Sequence, residues 1–230
     1  VGAGYLPALL DPVWDSSLLI YDTTKVSPAP TRWADLWDAK YKGKLSLQDD
    51  IASLWMVAQT LGLAPANDPA KLYNLTDEEL AQVKAKMLAL KPNVRKYWAT
   101  AGDMIQLFQS GEIVAGEGWP LMTAQLRAAG FPAGEVIPEE GTTAWADHWV
   151  LTKGAHNLDA AYAWLEYASQ PFTQKLLADV TNYIVANPAA YGLAAVFETV
   201  RATISGMLAI IADGVAGLIG GVATVAERLG

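Results

Sequence analysis

A layered α/β lobe is the fold class this sequence predicts: a central sheet with helices on both faces, plus a helical segment at the C-terminus. Three observations predict it. Between residues 16 and 180, short β-rich runs alternate with helical patterns of about 10–15 residues. The 230 residues are 52% apolar, enough to bury a sizeable core. From Tyr191 onward the alternation gives way to an apolar heptad pattern with few charges.

The elements follow in order. SSLLIYD (16–22) is an apolar run that reads as a buried strand. SPAPTRWADLWD (27–38) is a Pro-rich connection entering a helical turn, and KYKGKLSLQDD (40–50) alternates into a strand that stops at Asp49 and Asp50. IASLWMVAQTLGL (51–63) has the spacing of an amphipathic helix, and PANDPAKLYNL (65–75) reads as a loop. TDEELAQVKAKMLAL (76–90) opens on a capping box, Thr76 with Glu79. TAGDMIQLFQSGE (100–112) is a helix ended by Gly111, EIVAGEG (112–118) a short strand, and PLMTAQLRAAG (120–130) a helix closed by Gly130. GEVIPEEG (134–141) is a strand and turn. TTAWADHWVLTKG (142–154) is a strand that places Trp145, Asp147 and Trp149 on one face. NLDAAYAWLEYAS (157–169) and PFTQKLLADV (171–180) are helices, the second begun by Pro171.

In the last segment, large apolar residues stand at 196, 200, 204, 207, 211, 215, 218, 222, 225 and 229, the steps of a heptad seam. Each glycine there weakens a helix by about 1 kcal/mol relative to Ala. A helical hairpin is expected, breaking near Asp213-Gly214 or at Gly220-Gly221. It is expected to pack on the domain. Thr203 to Ala226 carries a single charge and is long enough to span a bilayer, and such a seam can also pair two copies of the chain.

Composition excludes several functions. A net charge of −8 without a basic stripe does not suit nucleic acid, whereas an acidic surface suits cationic ligands. The absence of cysteine removes disulfides, thiol catalysis and cysteine metal sites. The two histidines, His148 and His156, lack metal-ligand spacing, so neither a metal nor another cofactor is expected. The sequence starts at Val1 with no leader pattern.

A carboxylate in mid-strand between indoles needs a partner. Indole faces attract cations by about 0.5–2 kcal/mol per contact, and a carboxylate completes an ammonium site through a charge-assisted hydrogen bond. Ligands of open α/β sheets bind beyond the carboxyl ends of the strands. Asp49, Asp50 and Trp119 stand at such ends, Trp145 and Asp147 lie on their own strand, and Tyr183 sits in a loop after a helix. The plainer readings are tryptophans serving as core, and Asp49 or Asp50 capping the helix at Ile51.

The runs YDTTKVSPAPTRWADLWDAKYKGKLSLQDD, ALKPNVRKYW, GEIVAGEGW, TTAWADHWVLTKGAHN and TNYIVANPAA, in this order, resemble the periplasmic spermidine/putrescine-binding proteins of ABC importers. The resemblance runs from about Val13 to Ala190. It implies a periplasmic-binding-protein-like lobe, one of two that close on a ligand between them. It also implies an amine site at Asp50, Trp119, Trp145, Asp147 and Tyr183. The family's second strand-end carboxylate falls on Ser53, which points to an amine shorter or less charged than spermidine. The resemblance divides the chain into a non-family lead (1–12), a solute-binding lobe (13–190) and the apolar tail (191–230). It reads as the second lobe alone, truncated or re-engineered. The function expected is non-catalytic binding of a small putrescine-like cation, weak or lost. The alternatives are a designed or chimeric scaffold with a vestigial site, and a glycosidase using Asp50 and Asp147 with tryptophans as sugar platforms. The family is periplasmic. Without a leader, the chain itself is expected in the cytoplasm.

Overall fold

The computed structural model describes residues 5–63 and 68–192. The chain opens with β1 (Tyr5–Ser16) and β2 (Leu18–Asp22), then passes through short 3-10 turns to β3 (Leu45–Gln48) and α1 (Ala52–Thr60). Next come α2 (Asp77–Leu90), β4 (Val94–Trp98), α3 (Ala101–Gln109), β5 (Ala115–Gly118), α4 (Pro120–Ala128) and β6 (Ala133–Val136). The final described elements are β7 (Ala144–Thr152), α5 (Leu158–Ser169), α6 (Pro171–Thr181) and β8 (Ile184–Val185).

Five strands form the central sheet in the order β4-β3-β5-β2-β6, with β3 parallel to its neighbours and β2 antiparallel to its own. Alternation along β2 divides the core. Leu19 joins Leu45, Leu47, Met56, Val57, Val83 and Leu90 on the side of α1 and α2. Leu18 and Ile20 join Met104, Phe108, Met122 and Leu126 on the side of α3 and α4. Each such side chain contributes roughly 1.5–3 kcal/mol by leaving water. The expected sheet with helices on both faces is therefore present, and the runs at 16–22 and 45–48 share it.

β5 lies unusually close to its neighbour. A Cβ on Gly116 would fall 2.1 Å from the Ser46 carbonyl oxygen, so only glycine fits there. The helix-ending glycines Gly111 and Gly130 take φ of 73° and 78°, the left-handed conformation that closes α3 and α4.

Four features depart from the sequence reading. The strand carrying Trp145 does not join the central sheet. It forms a second, antiparallel sheet in the order β7-β1-β8. β1 extends back to Tyr5, within the stretch assigned to the lead, and its register against β7 is irregular between Tyr5 and Leu9 and between Leu10 and Val13. β4 was not expected as a strand: Arg95 and Lys96 break its apolar pattern because it is an edge, where charge discourages further pairing. The 65–75 loop holds a 3-10 turn at Pro69–Tyr73. The expected heptad hairpin lies outside the described residues from 193 onward. Among the described residues, no helix is long and apolar enough to cross a membrane.

Candidate functional site

A cavity of about 350 Å³ opens where the two sheets meet. Asp50, Trp119, Trp145, Asp147 and Tyr183 all border it, brought together from four separate stretches of chain. Ser17, Gln48 and Trp55 complete the polar and aromatic wall.

Local chemistry fixes each side chain. Trp119 precedes Pro120, whose ring forces it into extended backbone (φ −115°, ψ 154°) at the start of α4. Buried Trp98 stands edge-on to it at 4.9 Å and donates its Nε1–H to the Glu117 carbonyl at 2.9 Å. Trp145 faces Asp15 across the β1–β7 ladder and lies 5.9 Å from Trp119, ring to ring. Tyr183 arrives by a different route. α6 ends at Asn182 in the left-handed conformation (φ 59°), which asparagine tolerates, and the chain turns so that the phenol meets Trp145 edge-on at 5.7 Å. The result is a chain of rings, Trp98–Trp119–Trp145–Tyr183, of which the last three are half-buried and line the cavity.

The two carboxylates differ. Asp50 Oδ1 accepts from the Ala52 N–H at 3.1 Å, so the capping role and the place on the cavity rim hold together. Asp147 is exposed on β7, opposite Val13. Burial, with the charges of Asp15 and Asp147, pushes the Tyr183 phenol up to about 12, so it stays a hydrogen-bond donor at any physiological pH. Among the described residues bordering the cavity there is no Lys, Arg or His.

Two further acids escaped the sequence reading. Asp15 is buried on β1 and accepts from the Ser16 N–H at 2.7 Å. Desolvation still raises it above the ordinary carboxyl range. Glu117 is wholly buried on β5, and burial drives it up to about 7. Nothing in the local patterns of PVWDSS or AGEGW announces a buried acid. Only tertiary packing creates one: β7 and β8 flank Asp15, and α1 and β4 pack against Glu117.

The slot expected between Trp145 and Trp149 is not formed. Trp149 turns to Trp164 of α5, edge-on at 5.6 Å, and lines a separate apolar groove of about 680 Å³ with Leu176, Leu177 and Val180 of α6. Trp119 faces Trp145 in the cavity instead, with Trp55 a third indole on the wall, and Asp147 borders both spaces.

Residues 7–200 match the family of bacterial extracellular solute-binding proteins. The chain is 30% identical over 172 residues to the gamma-aminobutyric acid-binding protein of Pseudomonas aeruginosa, covering 74% of this chain and 47% of that protein. It is 28% identical over 181 residues to the spermidine/putrescine-binding periplasmic protein of Escherichia coli, with 77% and 49% covered. The chain thus spans about half the length of the curated relatives it matches. Among solved structures, the A. tumefaciens B6 binding protein MotA in complex with glucopine superposes with a TM-score of 0.69 at 25% identity, covering 84% of this chain and 62% of that one. A putative spermidine/putrescine ABC transporter protein from Listeria monocytogenes gives 0.70 at 19% identity, covering 80% and 55%, a likeness of fold alone.

Proposed function

Since the chain belongs to the bacterial extracellular solute-binding proteins, we propose that its cavity receives the ammonium end of a small amine such as putrescine, for delivery to an ABC importer outside the cytoplasm. The observation that carries this reading is the juxtaposition of Trp119, Trp145 and Tyr183 with Asp50 and Asp147, in a wall with no cationic side chain among the described residues. Ring faces and carboxylates both favour a cation, and no reactive nucleophile is needed for capture and release.

The amine end is assigned here because this wall carries Asp50 and Asp147 and, among the described residues, no cationic side chain to pair with a carboxylate. A γ-amino acid, the ligand named for the Pseudomonas relative, would meet this surface through its ammonium group and need its acid end held elsewhere. Two cation–π contacts and one solvent-screened ion pair sum to a few kcal/mol, so this surface alone binds putrescine at roughly millimolar concentration. Titrating putrescine against intrinsic tryptophan fluorescence tests the reading, with uncharged 1-butanol as control. A saturable change with putrescine and none with butanol is expected; equal responses would refute it.

A further inference from the structure

Behind the cavity wall stands an acid that the amine reading leaves unused. Glu117 is fully buried, two residues before Trp119. Gln48 of β3, Ser17 ahead of β2, Ser53 of α1 and Trp98 of β4 pack around it, and none of these titrates. The charged group acting on it is Asp50. Ser17, Gln48 and Asp50 also border the cavity, so one layer of side chains separates Glu117 from whatever enters.

The hydrogen bonds locate a proton. Ser53 Oγ lies 2.7 Å from the Gln48 carbonyl oxygen and 2.6 Å from Glu117 Oε2. A hydroxyl has one proton and can serve only one of two acceptors. A protonated Glu117 satisfies both: its O–H donates to Ser53 Oγ, and Ser53 donates to Gln48. Oε1 has no hydrogen-bond partner among the described residues, so ionisation without a nearby positive charge leaves a buried, under-solvated anion. Desolvation is the largest influence and pushes this carboxyl up to about 7; Ser53 and the Gln48 backbone oppose it less strongly, the Asp50 charge adds a smaller rise, and Ser17 opposes least.

We propose that Glu117 makes cation capture proton-linked: it holds a proton while the cavity is empty and releases it to solvent when an ammonium group docks in front of it. This rests on the amine reading of the cavity. The docked cation replaces the charge of the departing proton, so the charge balance around the buried layer is kept. A neutral molecule of the same shape brings no such charge and leaves Glu117 protonated. Glu117 thereby acts as a specificity-determining residue that discriminates charge without touching the ligand.

Calorimetry of putrescine binding to the full chain at pH 7, in two buffers of different ionisation enthalpy, counts the protons. The wild type should release about half a proton per putrescine, the share that Glu117 still holds at that pH. Its affinity should rise about tenfold from pH 6 to pH 8. Glu117→Gln should release none and show a flat profile, and the comparison cancels contributions from His148 and His156. Ser53→Ala removes the hydroxyl bonded to Glu117 Oε2. It should change the proton release at pH 7 and shift the pH at which the affinity rises, and an unchanged release and profile would overturn the linkage, which keeps the test open if Glu117→Gln does not fold. Putrescine binding without buffer-dependent heat, or with the same pH profile in wild type and Glu117→Gln, overturns the proton linkage and leaves the amine reading intact. No putrescine binding at pH 8, by calorimetry and fluorescence alike, overturns the amine reading and this inference with it.

Discussion

Asp147 and Glu117 are both acids at one site, and burial gives them opposite characters. Asp147 is exposed, so water screens any ion pair it makes toward the surface value of about 0–1 kcal/mol. Asp147→Ala should weaken putrescine binding by no more than about fivefold, read by tryptophan fluorescence titration. A larger loss would mean that the cavity closes over its ligand. Glu117 has no such screening. Its carboxyl ionises near 4.5 when unfolded and near 7 when folded, so between these values the folded state binds more protons. The stability this provides is fully present below about pH 4.5 and is lost as pH rises through about 7. The loss is on the order of 3 kcal/mol. Urea unfolding at pH 5 and pH 8 should show the wild type losing stability over that interval and Glu117→Gln losing much less. Parallel losses would show that other groups carry the pH dependence.

At the scale of elements, local signals were legible and non-local ones were not. The capping box that opens α2 could be read from four residues: Thr76 Oγ1 accepts from the Glu79 N–H, and the Glu79 carboxylate accepts from the Thr76 N–H. The glycine stops after α3 and α4 were equally local. That Trp119, Trp145 and Tyr183 share one cavity was legible through a resemblance of motifs, but Trp98, which braces Trp119, was not, because its role depends on β4 pairing with β3. The second sheet was invisible for the same reason: β1 and β7 are more than a hundred residues apart in sequence, and no pattern within either specifies the other. Gly116 reads as one more strand residue, yet the β3–β5 approach depends on it. Gly116→Ala should destabilise the fold by about 3 kcal/mol, since the obstruction is backbone rather than a movable side chain. Thermal unfolding measures it, and a change below about 1 kcal/mol would mean that the two strands separate at little cost.

At the scale of the whole molecule, one flank of the described residues is apolar. Trp149 is 42% exposed, Trp164 48%, Leu176 54% and Val180 65%, and these four residues line the groove between β7, α5 and α6. Contiguous apolar surface of this kind either meets a partner or promotes association. A hydrophobic dye such as ANS should therefore bind the intact chain, and Leu176→Lys with Val180→Lys should cut its fluorescence severalfold while raising soluble yield. No dye binding to the wild type would show that the flank is already covered in solution. The ring chain at the cavity has a different consequence, an optical one. Trp98, Trp119, Trp145 and Tyr183 stand 4.9 to 5.9 Å apart with their planes inclined by 54° to 89°. Chromophores so near and so inclined share their excited states, and a chiral frame turns that sharing into a couplet in the circular dichroism spectrum. The site thus carries an intrinsic label whose signal reports the mutual tilt of its walls, and a guest that wedges Trp119 away from Trp145 would be seen as a loss of rotational strength before any affinity is measured.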